Sequence, residues 1–97
     1  MTKRDLVGKI AIDAQLTRAQ AARALDAFVQ GIQSTLAIGG RVTISGFGTF
    51  AVIHRKARTV RNPRSGGAMQ IDARRVPRFA PGPGLKTAIH SRPPESP

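Results

Sequence analysis

His54-Arg55-Lys56-Ala57-Arg58-Thr59-Val60-Arg61-Asn62-Pro63-Arg64-Ser65-Gly66-Gly67 is a run of cations that ends in turn residues. Pro fixes φ, Asn bonds to its own backbone two residues on, and Gly supplies positive φ, so the end of the run is turn chemistry. Ala68-Met69-Gln70-Ile71-Asp72-Ala73 then brings the chain back, and the whole stretch predicts a long β-hairpin. Residues 54–78 carry Arg55, Lys56, Arg58, Arg61, Arg64, Arg74, Arg75 and Arg78 against one acid, Asp72, a local charge of +7 within a chain total of +11. That focus points to a polyanion. Because the cations fall on both faces of an alternating strand, no continuous apolar face is expected, and the ribbon should project from its own domain. At about 3.3 Å per residue, positions 55–62 would reach about 26 Å, enough to follow a groove around one side of a duplex.

Working outward, the period of two persists on either side. Val42 and Ile44 alternate with Thr43 and Ser45, Gly46-Phe47-Gly48 supplies a turn, and Thr49-Phe50-Ala51-Val52-Ile53 runs on into the basic ribbon. On the return side Val76 and Phe79 rejoin the apolar set. Residues 1–40 read as helical. Thr2 with Asp5 and Thr17 with Gln20 have the spacing of capping boxes. Leu6, Val7, Ile10 and Ala14 mark one apolar stripe, and Ala21, Leu25, Phe28, Val29, Ile32 and Leu36 mark a second that Gly39-Gly40 ends. The short link over 13–16 makes the two an antiparallel hairpin of helices. Pro81-Gly82-Pro83-Gly84 breaks the chain before a short helical piece over 85–90, with Pro83 in its first turn. Residues 91–97 have the composition of a disordered tail.

Composition narrows the function. Ninety-seven residues allow one domain with a modest core, so oligomerisation would help. The aromatics are Phe28, Phe47, Phe50 and Phe79, with no Tyr or Trp to stack on unpaired bases, which disfavours a reader of single strands. Cysteine is absent, so neither disulfides nor thiolate metal sites are expected. Met1-Thr2-Lys3-Arg4-Asp5 lacks the apolar core of a signal peptide and no run approaches membrane-spanning length, so a soluble, intracellular protein is expected. No nucleophile–base pair or phosphate loop appears, and the acids are scattered; an enzyme, a cofactor and a small-molecule substrate are not expected.

Gly46-Phe47-Gly48-Thr49-Phe50, Arg61-Asn62-Pro63, and Val76-Pro77-x-Phe79-x-Pro81-Gly82 with Leu85-Lys86 following resemble the bacterial HU/IHF family of DNA-bending proteins. The resemblance covers residues 1–90 and leaves only the tail outside. It implies an intertwined dimer with helices below, a saddle of sheet above and two β-arms in the DNA minor groove, each tipped by a proline wedge, here Pro63. It also places Lys3 near a DNA flank. Three positions depart from the family pattern: Ile53, Ala80 and Pro83 stand where basic residues are common, and they thin the charge on the body's flank.

The expected fold is therefore α+β: a helical hairpin beneath a three-stranded antiparallel sheet, with a protruding arm over roughly 55–75 and a short C-terminal helix, in a homodimer. The expected partner is double-stranded DNA in a bacterial nucleoid, bound with little sequence preference and bent or compacted. Arg55, Arg58, Arg61, Arg64, Arg74 and Arg75 would hold phosphates and the groove, Asn62 and Pro63 would form the tip, and Lys3 and Lys86 would touch flanking backbone. Two other readings are an IHF-like subunit that needs a partner chain and a structured-RNA protein, since a basic hairpin also fits RNA.

Overall fold

A computed structural model describes residues 1–91, so all but the first residue of the expected tail lies outside the described residues. Both predicted capping boxes form. The Thr2 amide donates to Asp5 (3.0 Å) and the Asp5 amide to the Thr2 hydroxyl (3.3 Å), opening α1, Lys3–Asp13. The Thr17 amide donates to Gln20 (2.9 Å) and the Gln20 amide to Thr17 (3.1 Å), opening α2, Arg18–Ala37.

The two helices also stop alike. The Leu16 amide donates to the Ala11 carbonyl and Gln15 to Ile12; the Gly40 amide donates to Thr35 and Gly39 to Leu36. Each is the pair of bonds of a Schellman motif, which needs a left-handed residue just past the helix. Gly39 takes that conformation at φ 84, whereas at the first helix Gln15 takes it at φ 57.

Val7 and Ala11 of α1 meet Ala21 and Leu25 of α2 to form the buried core, with Leu6, Ile10, Leu16 and Ala22 packed around it. Ala14, expected in the first stripe, is exposed at the cap of α1, and Ala11 takes its place. Phe28 and Val29, expected in the second, are 47% and 41% exposed.

The sheet follows as β1 (Val42–Ile44), β2 (Gly48–Arg55) and β5 (Arg74–Pro81), antiparallel in the order β1-β2-β5. Between the last two, β3 (Arg58–Arg61) and β4 (Ala68–Ile71) make a separate two-stranded ribbon. Sequence alternation predicts one unbroken hairpin; the ladder instead stops at Lys56-Ala57 and Asp72-Ala73. Register is kept across the interruption, Arg55 facing Arg74 before it and Arg58 facing Ile71 after it, so each strand has two unpaired residues and there is no bulge. The gap sets Lys56 opposite Ala73 and Ala57 opposite Asp72 among neighbouring like charges, leaving little cross-strand packing to hold it closed. A cavity of about 360 Å³ opens there, lined by residues of both strands.

Helix α3 (Pro83–His90) starts at the proline and is locked to the body through backbone. The Gly84 amide donates to the Gly46 carbonyl (2.9 Å) and the Gly82 amide to Phe47 (2.8 Å). A Cβ on Gly82 or Gly84 would sit 2.9 or 2.8 Å from the Gly46 oxygen, and one on Gly48 would lie 2.5 Å from the Phe79 ring. The Gly-Phe-Gly turn and the Pro-Gly-Pro-Gly break are thus two sides of one close approach.

Candidate nucleic-acid interface

Directly opposed residues of an antiparallel pair share a face. Phe50 opposes Phe79, Val52 opposes Pro77 and His54 opposes Arg75. This face looks toward α2: Arg75 Nη2 donates to the Leu36 and Ala37 carbonyls at 3.1 and 2.9 Å. Phe79 lies 4.8 Å from Phe50 and 5.4 Å from Phe47 between ring centroids. The outer face then carries Thr43, Thr49, Ala51, Ile53 and Arg55 opposite Arg74, Val76, Arg78 and Ala80. Ile53 faces Val76 and Ala80 faces Thr49, so both positions lack charge on this face, with Arg78 opposite Ala51 between them.

At the tip, the Asn62 amide donates to the Gly67 carbonyl and the Gly66 amide donates to Asn62, closing a four-residue loop, 63–66. Asn62 Oδ1 accepts the Arg64 amide (2.9 Å), Ser65 Oγ accepts the Gly67 amide (3.2 Å), and Gly66 has φ 72. The Asn62 and Ser65 side chains are both engaged in holding the turn. Pro63 and Arg64 stand exposed at the apex.

The arm is not polar on both faces. Arg58 faces Ile71 and Val60 faces Met69, so Val60, Met69 and Ile71 share one side with Arg58. Thr59 and Gln70, whose side chains bond at 3.1 Å, occupy the other with Arg61 and Ala68. Met69 and Ile71, two apart in β4, and Val60 in β3 were visible in the sequence; that they meet on one face depends on the loop length that sets the register.

Among the described residues the side-chain ion pairs are Lys3–Asp26 and Lys9–Asp13, each 2.7 Å and exposed. Arg55, Lys56, Arg58, Arg61, Arg64, Arg74 and Arg78 are exposed with no carboxylate partner among those residues. Lys56 and Arg78 belong to this set although neither was among the expected site residues. Arg75 departs from its expected companions: Arg74 and Arg75 are neighbours on a strand and must face opposite ways, and Arg75 is the one turned to α2. Lys3 engages Asp26, and Lys86 sits exposed on α3, away from the arm in sequence and in element.

The family model described as "Bacterial DNA-binding protein" matches residues 1–90. The chain belongs to this family. Escherichia coli (strain K12) DNA-binding protein HU-beta is 46% identical over 90 residues, covering 93% of this chain and all of that protein. DNA-binding protein HU-alpha of Vibrio proteolyticus is 47% identical over 89 residues, 92% of this chain and 99% of that one. The Anabaena HU protein of an HU–DNA cocrystal superposes with a TM-score of 0.83 at 38% identity, over 92% of this chain and 97% of that one. This HU-family chain therefore shares the helical hairpin, sheet and arm of its relatives as one architecture, and its family is one of DNA-binding proteins rather than of enzymes.

Proposed function

We propose that this HU-family chain is a homodimeric architectural protein that binds double-stranded DNA with little sequence preference, through β-arms in the minor groove, and bends or compacts it. The observation that carries the reading is the grouping, on the arm and the outer face of the sheet, of seven exposed cations that have no carboxylate partner among the described residues. Such cations displace condensed counterions from phosphates, a sequence-independent gain. Arg55, Arg58, Arg61, Arg64 and Arg74 hold phosphates and groove, with Asn62 shaping the tip that presents Pro63. Lys3 and Lys86 serve the flank; an exposed pair such as Lys3–Asp26 is worth at most about 1 kcal/mol, so it yields easily to a phosphate. Arg75 supports the arm's base by holding β5 to α2.

The dimer is supported by what one copy leaves uncovered. Four described residues form the buried core, while Phe28, Val29, Phe47 and Phe79 stay open. The radius of gyration is 19.2 Å, against about 13 Å for a compact chain of this size. No helix of the described residues is long and apolar enough to cross a membrane, and nucleoid DNA is the site of action we infer. Anisotropy titrations with duplexes of unrelated sequence, combined with light scattering, test this. Similar affinities and a two-chain mass are expected; no binding at low salt, or a folded single chain, would refute it.

A further inference from the structure

We infer that Met69 is a site of reversible oxidation, through which hydroperoxides loosen the arm and weaken DNA binding. The consequence for DNA rests on the function proposed above; the loss of pairing within the arm does not.

Sulfur is scarce in this chain. The sequence has no cysteine and two methionines, Met1 and Met69, so thioethers are the groups that a mild oxidant finds. Met1 precedes the first helix and is 86% exposed. Met69 lies in β4 directly opposite Val60 of β3 and is 41% exposed, which leaves its sulfur within reach of a small solute. The helical core, the phenylalanine cluster and the three-stranded sheet contain no sulfur. Oxidation is thereby confined to the arm and to a residue ahead of the fold.

The arm has little else to hold it together. β3 and β4 are four residues each and pack chiefly on each other, and a two-stranded ribbon on its own is marginally stable at best. The ladder to the body stops on both strands at its root, so the sheet does not prop it. What the register supplies is one apolar set: Met69 against Val60, with half-buried Ile71 beside Met69 on the same face. Thr59 and Gln70, bonded at 3.1 Å, hold the other face.

The chemistry acts on that set. The Met69 sulfur attacks one oxygen of the peroxide, the O–O bond breaks as the S–O bond forms, and sulfur gives up two electrons. The second oxygen departs as hydroxide, takes the proton from the transferred oxygen and leaves as water. The sulfoxide oxygen is a hydrogen-bond acceptor that is costly to keep against Val60 without a partner. Its available donors are water and Arg58, which opposes Ile71 on this face, diagonal to Met69. With either one, the side chain turns away from Val60. A methionine sulfoxide reductase reverses the step, two thiols joining as a disulfide while the oxygen leaves as water.

The test titrates wild type and Met69→Leu with hydrogen peroxide and follows each methionine by peptide mass. Cross-strand amide contacts seen by NMR report arm pairing without DNA, and anisotropy reports duplex binding. In wild type Met69 should gain one oxygen and the paired-to-open ratio of the arm should fall by up to about fivefold, the weight of one apolar cross-strand pair. DNA affinity should fall by about twofold to fivefold, within the same limit, and methionine sulfoxide reductase with dithiothreitol should restore both. Met69→Leu, similar in volume, should keep its pairing and affinity although its Met1 is oxidised. Met69→Gln should show both losses without peroxide. Oxidised Met69 with pairing intact overturns the inference, as does a Met69 that stays reduced at doses that fully oxidise Met1. Equal losses in wild type and Met69→Leu would trace the effect elsewhere and overturn it too. Pairing lost at unchanged affinity overturns the consequence for DNA, whereas untreated wild type that fails to bind duplexes refutes the DNA reading and leaves arm pairing to decide the oxidation site.

Discussion

The Arg75 guanidinium reaches back 38 residues to donate to the Ala37 carbonyl at 2.9 Å, with Leu36 bonded by the same nitrogen at 3.1 Å. These carbonyls end α2, where the helix dipole is negative and acceptors lack partners. The Schellman bonds take the Thr35 and Leu36 carbonyls; Arg75 takes Ala37 and the second lone pair of Leu36. One cation in the basic stretch thus ties the root of the arm to the scaffold.

Arg75→Ala should therefore behave as a stability mutation. Removing an exposed charged cap costs about 1 kcal/mol, to be read by urea denaturation. The salt slope of DNA binding should stay at its wild-type value. A slope lowered by the equivalent of one phosphate, with stability unchanged, would place Arg75 among the phosphate ligands.

The two Schellman motifs offer a matched pair. Gln15 holds φ 57 where Gly39 holds φ 84, and a Cβ on Gly39 would meet nothing within 4 Å, so the difference is purely one of backbone preference. Gln15→Gly should stabilise by about 0.5–1 kcal/mol and Gly39→Ala should destabilise by about 1 kcal/mol. Thermal denaturation of both variants at equal protein concentration checks the signs; a destabilised Gln15→Gly would mean that the Gln15 side chain matters to the link.

Local signals were legible because they are local. Thr2/Asp5, Thr17/Gln20 and Gly39-Gly40 act within one turn of helix, and Asn62-Pro63 with Gly66 within one loop, so spacing alone specifies them. The aromatic cluster was legible as apolar from its residues, whereas its being open in one copy followed only from the dimer that the family resemblance implied, since the proposed cover belongs to another chain. The break at Lys56-Ala57 and Asp72-Ala73 left no mark in the sequence: it inserts no residue and shifts no register, and arises from weak cross-strand pairs that exist only once the strands are aligned. Arg75 looked like its neighbours for the same reason. Its task depends on where α2 ends, 38 residues earlier.

Arg58 and Arg61 lie on opposite faces of the arm, and neither has a carboxylate partner among the described residues. If both meet phosphates, replacing the two by Ala should lower the slope of log K against log salt by about 0.9 for each phosphate no longer neutralised. Fluorescence anisotropy across a salt series measures it. Because the outer face carries Ile53 and Ala80 in place of charge, the arms supply a large share of the phosphate pairing and the drop should be easily resolved. An unchanged slope would move the binding surface to the body.

Pro63 separates a wedge from a turn residue. Turn geometry is already secured without it: Asn62 accepts the Arg64 and Gly66 amides, Ser65 accepts Gly67, and Gly66 takes the positive φ. Proline can favour the loop by restricting the unfolded chain, but that effect is worth only about 0.4–1 kcal/mol. Its ring is exposed at the apex, as an inserting group must be. Prising base pairs apart costs a few kcal/mol per step, offset by contacts that only kinked DNA permits. Pro63→Ala should therefore reduce bending strongly and affinity weakly, since Arg58, Arg61 and Arg64 still meet phosphates whose attraction needs no kink. Energy transfer across a short end-labelled duplex, with wild type and Pro63→Ala at equal occupancy, reads the bend. Equal transfer from the two proteins would return Pro63 to the turn.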